Sequence, residues 1–430
     1  MNSSLRPDHS ATPKGFAAPG EAPDASVPPI RGRDFVVIGL QPWYYEIGSN
    51  CKNIATRLGE QNRVLYVNLP VNRKTWHAKQ NTKGVQEHIS LIRHKGEKIR
   101  QVAPQIWEFY PPTVLESINW LPSTALFKAG CYLNNRRLAA DIREAMRTLG
   151  FRDPILFNDN DVYNGFYLKE CLRPSLSIYY MRDFLQGYAY WRRHLPALEP
   201  ALIRKSDLVV ANSTFYAEYC SGYNPRSAYM GQGCNLELFN ADGDHPMPEE
   251  LKGFDGPVIG YVGALDSERL DERVIRIIAE YNPSWNVVLV GPEDPAFRDS
   301  SLHALPNVHF LGRRPLASLP AYIAAFAVCM NPQLINPITR GNYPLKIDEY
   351  LALGKPVVAS RTRAMELFES HTYQAGSPEE YPVLIERALA EDTPERRAQR
   401  IAFARTHTWE NCMAALYRAI GQYRPPGPVR

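Results

Sequence analysis

The sequence predicts an α/β protein of two domains, each built around a parallel β-sheet. Its 430 residues exceed one ordinary core and favour two domains of about 150–200 residues. Short apolar runs, typical of strands buried on both faces, alternate with stretches of helical length, as in βαβ units. This alternation stops once and then starts again, which indicates two sheets. A composition of 44% hydrophobic and 22% charged residues fits a soluble globular chain.

The first series of strands predicts an N-terminal domain at residues 34–240. Its strand candidates are residues 35–39, 64–68, 155–158, 177–180 and 208–211. The preceding residues 1–33 contain six prolines, no apolar core segment and no hydrophobic stretch of the kind found in signal peptides. We therefore expect a disordered tail there.

The second series predicts a C-terminal domain at residues 257–400. A linker rich in Asp, Glu, Gly and Pro precedes it between residues 240 and 257. Its strand candidates are residues 258–263, 286–291, 308–312, 326–330 and 356–359.

Residues 401–430 contain a last helix that begins near Thr408. Its apolar face is formed by Trp409, Met413, Leu416 and Ile420. Because no strand follows, we expect the helix to bury this face against an existing domain, and the first domain is a candidate.

Cysteine and histidine spacing argues against disulfides and metal sites. The seven cysteines lie far apart, are odd in number and form no Cys-x-x-Cys pair, which favours reduced thiols in the cytosol. The ten histidines include no His-Glu-x-x-His motif, so no structural metal is expected. No run of about 18 apolar residues occurs, and no spanning helix is expected.

The charge is unevenly distributed. Residues 1–240 hold 29 Lys and Arg against 21 Asp and Glu, whereas the remainder holds 20 against 24. A basic first half suits anionic lipid headgroups or a phosphate-linked acceptor, and it is equally compatible with an ordinary solvated surface.

An apolar cluster lies beside basic residues in the first half. Its apolar members are Ile118, Trp120, Leu121, Leu126 and Phe127, and its basic members are Lys128, Arg136 and Arg137. Such a cluster docks at a membrane surface or forms a packed insertion, and the sequence favours the insertion.

The strongest candidate site follows the fourth strand of the second series. Pro344 suits the first turn of a helix over about residues 345–353, which stops at Gly354. Lys346 lies in the first turn, where a cation opposes the helix dipole unless an anion is bound nearby. Glu349 lies on the same side, one turn further on. A diphosphate beside Lys346 and a ribose beside Glu349 would explain the pair, but so would an ordinary ion pair worth about 0.2–0.5 kcal/mol.

A second loop, after the first strand of this series, contains Gly263, which would allow backbone N–H groups to approach a phosphate. The sequence has neither a full Gly-x-Gly-x-x-Gly fingerprint nor a Gly-x-x-x-x-Gly-Lys-Ser/Thr loop. These absences argue against dehydrogenases and P-loop nucleotidases.

The segment 344–358 resembles the donor-binding motif of GT-B glycosyltransferases, in particular the family 4-like polysaccharide enzymes. The matching residues are Pro344, Lys346, Glu349, Tyr350, Ala352, Gly354, Pro356, Val357 and Val358. Further similarity occurs at residues 206–213, 231–239, 260–263, 290–292, 307–312 and 319–322. The resemblance covers nearly all of residues 34–425, closely in the second domain and loosely in the first.

The resemblance implies a GT-B fold of two Rossmann-like domains whose parallel sheets face across a cleft. It also implies a metal-independent, hexosyltransferase-like enzyme without a cofactor, which moves a sugar from a UDP- or GDP-sugar to an acceptor hydroxyl. The last helix would cross back to the first domain.

The same resemblance implies roles for donor-site residues. Lys346 would contact the diphosphate and Glu349 the ribose, while Gly263 would let the backbone approach the phosphates. The remaining donor-site residues would be Arg269 as a second positive charge, Gly312 and Arg313 near the nucleobase, and Tyr343, Pro344 and Leu345 in the donor loop. Family 4 enzymes often carry Glu-x7-Glu, but Gly341 occupies the first position here, which leaves the sugar and the anomeric outcome open.

Asp183, after a first-domain strand, is the candidate general base for the acceptor hydroxyl. The alternative is a helix cap or a pair with Arg182. Acceptor-side candidates are Gln41, Asn158 and Asp159, with Asp161 and Asn164, all residue types also common in turns.

The expected partners are a nucleotide-sugar donor and a lipid-linked or saccharide acceptor, with no nucleic acid. We expect a cytoplasmic enzyme of exopolysaccharide or cell-surface glycan synthesis, in contact with anionic lipid at the inner face of the plasma membrane. The alternatives are a nucleotide-sugar 2-epimerase of the same fold and a catalytically inactive GT-B binding module.

Overall fold

A computed structural model of the chain describes residues 28–45 and 49–424. Residues 1–27, which include most of the predicted tail, lie outside the described residues. The described chain forms two compact units, one of residues 28–231 with 413–424 and the other of residues 232–412. Each unit contains one sheet, so the predicted α/β class with two parallel-sheet domains is confirmed.

The first unit contains an eight-stranded sheet in the order β3-β4-β2-β1-β5-β6-β7-β8. Its strands are β1 (Asp34–Gly39), β2 (Arg63–Val67), β3 (Ile99–Ala103), β4 (Ile106–Phe109), β5 (Ile155–Asp159), β6 (Leu176–Met181), β7 (Leu208–Ala211) and β8 (Ser227–Tyr229). All neighbouring strands pair in parallel except the edge strand β3, which is antiparallel to β4.

Eight α-helices lie between these strands in the described residues of the first unit. They are α1 (Asn50–Gly59), α2 (Arg73–Trp76), α3 (Lys83–Arg93), α4 (Thr124–Leu149), α5 (Val162–Gly165), α6 (Leu168–Leu172), α7 (Leu195–Lys205) and α8 (Thr214–Ser221). Helices lie on both faces of the sheet, and every residue of the central strand β1 is therefore buried.

The second unit contains a parallel six-stranded sheet in the order β11-β10-β9-β12-β13-β14. Its strands are β9 (Val258–Val262), β10 (Asn286–Val290), β11 (Val308–Gly312), β12 (Val328–Asn331), β13 (Val357–Ser360) and β14 (Tyr373–Ala375). Its helices are α9 (Glu272–Tyr281), α10 (Pro295–Arg298), α11 (Leu319–Ala325), α12 (Leu345–Ala352), α13 (Tyr381–Ala390) and α14 (Pro394–Ala404), with a 3-10 segment at Arg363–His371.

Alternate residues along the strands of the second sheet belong to two hydrophobic cores, one on each face. Val262, Val288 and Cys329 pack with α11 and α12 on one face, whereas Tyr261 and Val287 pack with α9 and α13 on the other. This period of two, with both faces covered, explains why the strands appear in the sequence as continuous apolar runs.

The last helix, α15 (Trp409–Gln422), begins in the second unit and continues into the first. Leu416 and Tyr417, in its second half, are buried. None of the helices among residues 28–45 and 49–424 has the length and apolar character needed to span a bilayer.

Four strands have no counterpart in the sequence prediction: β3, β4, β8 and β14. All four lie at or next to a sheet edge and have three to five residues, and β3 and β8 have no fully buried residue. Such strands lack the continuous apolar run by which central parallel strands are identified.

Each sheet has one position where the chain reverses the direction in which strands are added. In the second unit β9 lies between β10 and β12, because the chain adds β10 and β11 on one side and then returns to add β12 on the other. In the first unit β1 has the same place between β2 and β5. Ligands of open α/β sheets bind beyond the carboxyl ends of the strands at such positions.

Candidate functional site

The reversal point of the second sheet brings two predicted loops together. The loop after β9 begins with Gly263, and the loop after β12 leads to α12 and Lys346. A bridge between Leu270 and Gln333 joins the two loops, and the amide of Leu334 donates to the carbonyl oxygen of Arg269 at 2.9 Å. Both loops are therefore fixed at the carboxyl edge of the sheet.

Two glycines allow the close approach of these loops. Gly263 and Gly291 have φ values of +145° and +157°, which L side chains rarely adopt. A Cβ atom on Gly291 would lie 1.8 Å from the carbonyl oxygen of Gly263, and one on Gly263 would lie 3.2 Å from Cε of Lys346. The side chain of Lys346 therefore crosses directly over Gly263, so the structure brings these two predicted donor residues together.

Lys346 remains available for an anion. Its ammonium group lies 5.1 Å from the ring centroid of Tyr261, and no carboxylate in the described part of the chain is within 4.0 Å of it. Pro344 occupies the N-cap of α12 and makes no side-chain capping bond to the first turn. A helix N-terminus without a side-chain cap and a lysine without an ion-pair partner attract the same ligand, which is a phosphate-like anion.

Glu349 lies one turn beyond Lys346 and is only partly exposed. Burial raises the pKa of this carboxyl group to about 7; the charge of Lys346 opposes the shift and that of Asp348 adds to it. Near neutral pH Glu349 is therefore poised between its two protonation states. A carboxyl group of this kind suits a pair of hydroxyl groups, which both donate and accept hydrogen bonds.

Tyr343, Asp348 and His407 form a buried hydrogen-bonded triad on the core side of α12. Tyr343 donates through its hydroxyl to Oδ2 of Asp348 at 2.6 Å, and Nδ1 of His407 lies 2.6 Å from Oδ1 of the same residue. Asp348 is wholly buried. Burial lowers the pKa of His407, but the charge of Asp348 and their hydrogen bond outweigh it, so the net shift is upward. The donor loop at Tyr343 is thus tied to the segment that precedes α15.

The triad predicts a pH-dependent stability. A histidine whose pKa is raised by folding contributes its full stabilisation below its unfolded pKa of about 6.5 and loses it as pH rises through the folded pKa. We expect His407→Gln to cost about 3 kcal/mol at pH 6, the lower end for a broken buried pair because Tyr343 still satisfies Asp348. In a unit of this size, that corresponds to about 6–12 °C in the thermal midpoint.

Thermal unfolding of wild type and variant between pH 5 and 9 measures the effect, and the difference is expected to shrink as pH rises. His371→Gln is the matched control, because burial, followed by the charges of His407 and Arg400, lowers the pKa of His371. That variant is expected to lose no stability at low pH. A His407→Gln cost that is constant across this pH range would contradict a charged pair.

The other predicted donor residues lie along the same sheet edge. Gly312 ends the outermost strand β11 with φ of +67°, and the next residue, Arg313, is exposed. Nε of Arg269 lies 3.8 Å from Oδ2 of Asp266. Pro344 and Leu345 begin α12. A nucleobase contact by Gly312 and Arg313 and a phosphate contact by Arg269 stay predictions.

Three charged residues, Asp159, Arg182 and Asp183, lie together at the reversal point of the first sheet. Gly39, at the end of β1, pairs with Asp159 at the end of β5. Asp159 is wholly buried, and Nε of Arg182 lies 2.8 Å from its Oδ1. The same guanidinium group contacts Oδ2 of Asp183 at 2.6 Å. Burial raises the pKa of Asp159 despite the opposing charge of Arg182.

The contact of Asp183 with Arg182 is the pairing that the sequence offered as the alternative to a catalytic role. The side chain of Asp183 retains 21% exposure, compared with none for Asp159. Asn160, at φ of +58°, fixes this loop because its Oδ1 accepts from the amide of Arg182 at 2.8 Å. Of the two carboxylates, only Asp183 is accessible, and its role as a base stays a prediction.

The remaining acceptor-side candidates serve mainly as turn residues. The side chain of Asn158 accepts a hydrogen bond from the backbone amide of Asp161 and donates one to its carbonyl oxygen. Asp161 in turn caps α5, because its Oδ1 accepts from the backbone amide of Asn164 at 3.0 Å. The carbonyl oxygen of Gln41 accepts from the hydroxyl of Tyr66 at 2.6 Å. Asn158, Asp161 and Asn164 therefore have the local function that the sequence offered as the alternative.

Sequence reasoning missed Asp348 and His407, and it did not foresee that Arg182 contacts two carboxylates. Asp348 carried a usable signal, because it lies between Ile347 and Leu351 on the buried side of an amphipathic helix. A charged residue at such a position requires a partner. His407 and Arg182 had no comparable signal in their own neighbourhoods.

Comparison with known families agrees with this geometry. Residues 256–391 match the family model described as Glycosyl transferases group 1. The match contains β9 to β14 and α12, and thus every residue predicted for the donor site. The predicted resemblance is confirmed for this part of the chain.

Related proteins extend the comparison. The putative teichuronic acid biosynthesis glycosyltransferase TuaH of Bacillus subtilis is 28% identical over 245 residues, which represent 54% of this chain and 60% of TuaH. The chain thus matches less than two thirds of that relative's length.

Solved structures share the architecture. Anabaena Alr3699/HepE in complex with UDP superimposes with a TM-score of 0.62 at 16% identity, over 90% of this chain and 99% of that chain. An α,α-trehalose-phosphate synthase from Burkholderia vietnamiensis gives 0.64 at 13% identity over 90% and 99%. At these identities the similarity establishes the fold alone, and the predicted GT-B fold is confirmed.

Proposed function

We propose that this chain, whose second unit carries the glycosyl transferases group 1 match, transfers a hexose from a UDP-hexose to an acceptor hydroxyl in the synthesis of a surface polysaccharide. The observation that carries the proposal is the position of Lys346. It crosses Gly263 at the reversal point of the sheet, beside the N-terminus of α12 and without an ion-pair partner in the described chain. A nucleoside diphosphate is the anion that fits this position, with Glu349 one turn away for the ribose.

The choice of UDP and of a polysaccharide product rests on the related proteins. Anabaena Alr3699/HepE has been solved with UDP and glucose, and TuaH is described as a teichuronic acid biosynthesis enzyme. Gly341, where related enzymes often have a carboxylate for the sugar, leaves the identity of the hexose outside the proposal.

The donor side of the reaction is electrostatic. When the bond between the sugar and the diphosphate breaks, negative charge develops on the leaving group. Lys346 and the N-terminus of α12 stabilise this charge with groups that are already oriented, which is how enzymes lower such barriers most effectively. Because fixed positive charge is available, we propose that transfer requires no metal.

On the acceptor side, Asp183 removes the proton from the attacking hydroxyl group. Its carboxylate is held by Arg182 and by the loop that Asn160 fixes, and it is partly exposed. A base in a fixed position typically contributes a factor of about 10²–10⁴ to the rate. The buried carboxylate of Asp159 holds the guanidinium group of Arg182 in position through an ion pair. The acceptor is a lipid-linked saccharide at the cytoplasmic face of the plasma membrane.

One assay tests the proposal. Purified protein is mixed with UDP-glucose, other UDP-hexoses or GDP-mannose, with and without lipid-linked saccharides, in the presence of EDTA. We expect UDP release from a UDP-hexose that depends on the acceptor and persists in EDTA. Conversion of the donor to its 2-epimer without release would instead establish an isomerase, and binding without turnover would establish an inactive binding module.

A further inference from the structure

We propose that the N-terminal half of α4, with the neighbouring loops, is a docking surface for an anionic lipid bilayer. The surface comprises Trp120, Leu126, Tyr132, Leu133 and Tyr190, together with the basic residues Lys128, Arg136, Arg137, Arg192 and Arg193. It deepens the proposed function by naming where the membrane is bound, but its evidence is independent of the transfer reaction.

Exposure of large apolar side chains is concentrated here. Trp120 is 71% exposed, Leu126 56%, Leu133 53%, Tyr190 56% and Tyr132 42%. Only twelve large hydrophobic side chains of the described residues are exposed to this degree, and these five are among them. A group of such side chains on one surface marks an interaction site, whereas scattered ones do not.

These residues lie on α4 and on two loops that are joined to each other near its N-terminal end. Leu126 and Leu133 lie two turns apart on the outer side of α4, with the exposed Ala129 between them. Trp120 precedes the helix, and its carbonyl oxygen accepts from the guanidinium group of Arg193 at 2.9 Å. Nδ2 of Asn119 donates to the carbonyl oxygen of Tyr190 at 2.8 Å, which joins the loop before α4 to the segment before α7.

The sequence cluster at residues 118–127 therefore has two parts with different roles. Phe127 is buried in the core and stacks on His194 at a centroid distance of 4.2 Å, and Ile118 packs against Gly130. These residues form the packed insertion that the sequence favoured. Trp120 and Leu126 belong to the same segment but point away from that core. The packed part holds the exposed part rigidly in place.

Charge identifies the occupant as a lipid surface. Residues 117–140 and 184–198 contain five Lys or Arg and no Asp or Glu. The guanidinium group of Arg136 lies 5.7 Å from the ring centroid of Tyr132, so a cation and an aromatic ring lie side by side on this surface. Trp and Tyr prefer the headgroup region of a bilayer, and arginines bind anionic headgroups while their stems cover apolar surface. Glu116 lies at the margin of this surface and contacts Arg137 at 3.2 Å. The other four cations have no carboxylate within 4.0 Å among the described residues, and an apolar helix face with such a basic border fits an anionic bilayer.

Flotation with vesicles of phosphatidylcholine, alone or mixed with phosphatidylglycerol, tests the surface on the full chain. We expect binding to the mixed vesicles, weakened by salt because screening shortens the range of the attraction. The variant Trp120→Ser/Leu126→Gln/Leu133→Gln is expected to bind at least about tenfold less tightly, since it removes the insertable apolar area. Arg136→Gln/Arg192→Gln is expected to lose about fivefold for each arginine on mixed vesicles and little on pure phosphatidylcholine.

The matched control is Met247→Gln/Leu316→Gln/Val383→Gln, which removes three exposed apolar side chains of the second unit and is expected to bind vesicles as wild type does. UDP affinity, measured by calorimetry on each variant, is expected to be unchanged, so a failed docking surface is distinguishable from a failed donor site. Vesicle binding that is absent in wild type, or equal in all variants, would overturn the proposal. So would a dimer in light scattering that only the Trp120 variant dissociates, because the surface would then bind a second copy.

Discussion

Lys346→Ala is expected to weaken UDP and UDP-hexose binding by about 1.5–3 kcal/mol, or roughly 10- to 150-fold, the range for a hydrogen bond to a charged group. Lys346 has no carboxylate within 4.0 Å among the described residues, so its removal breaks no internal ion pair. Its side chain covers Gly263, where a diphosphate would lie against the backbone. The expected loss is therefore one of ligand binding and not of folding.

Isothermal titration calorimetry with UDP measures this loss, and thermal unfolding checks that stability is unchanged. Lys252→Ala is the matched control, because Lys252 is an exposed lysine of the same unit that contacts Glu249. It is expected to bind UDP as wild type does. Unchanged UDP affinity in Lys346→Ala would remove this residue from the donor site and with it the observation on which the proposed function rests.

Asp183→Asn is expected to lower transfer by about 10²–10⁴, the contribution of a positioned base, and to leave UDP affinity unchanged. The amide cannot accept the hydroxyl proton, although it has nearly the same shape. Arg182 retains its contact with Asp159, so the local structure is expected to persist. Single-turnover rates with saturating donor separate the chemical step from binding.

Asp153→Asn provides the control for Asp183→Asn. Asp153 is an exposed aspartate of the same unit at φ of +43°, a conformation that asparagine also tolerates. Near-normal turnover by Asp183→Asn would end the assignment of the base. If Asp159→Asn abolished turnover while Asp183→Asn did not, the buried carboxylate would replace Asp183 in that role.

The placement of Lys346 and Glu349 on one short helix after a buried strand was predictable because its signals are local. Lys346 in the first turn after Pro344, with Glu349 three residues later, forms a continuous motif, and the strands on both sides are buried on both faces. Periodicity and dipole arguments operate over this distance. The same arguments predicted the central strands of both sheets.

Contacts between distant segments were not predictable from such signals. His407 meets Asp348 across 59 positions of sequence, and Arg182 meets Asp159 across 23. Only the folded topology brings these residues together. For the same reason the sequence could not separate Phe127, which enters the core, from its neighbour Leu126, which faces solvent.

The first unit is discontinuous in the sequence, and this affects how it is made. Its sheet is complete by β8, but residues 413–424 reach it only after the whole second unit has left the ribosome. At about 5–20 residues per second this delay is on the order of ten to forty seconds. During that time the first unit lacks Leu416 and Tyr417, which are buried in the complete chain. A stop codon shortly before residue 413 would therefore damage the N-terminal unit, although every strand of that unit had already been synthesised.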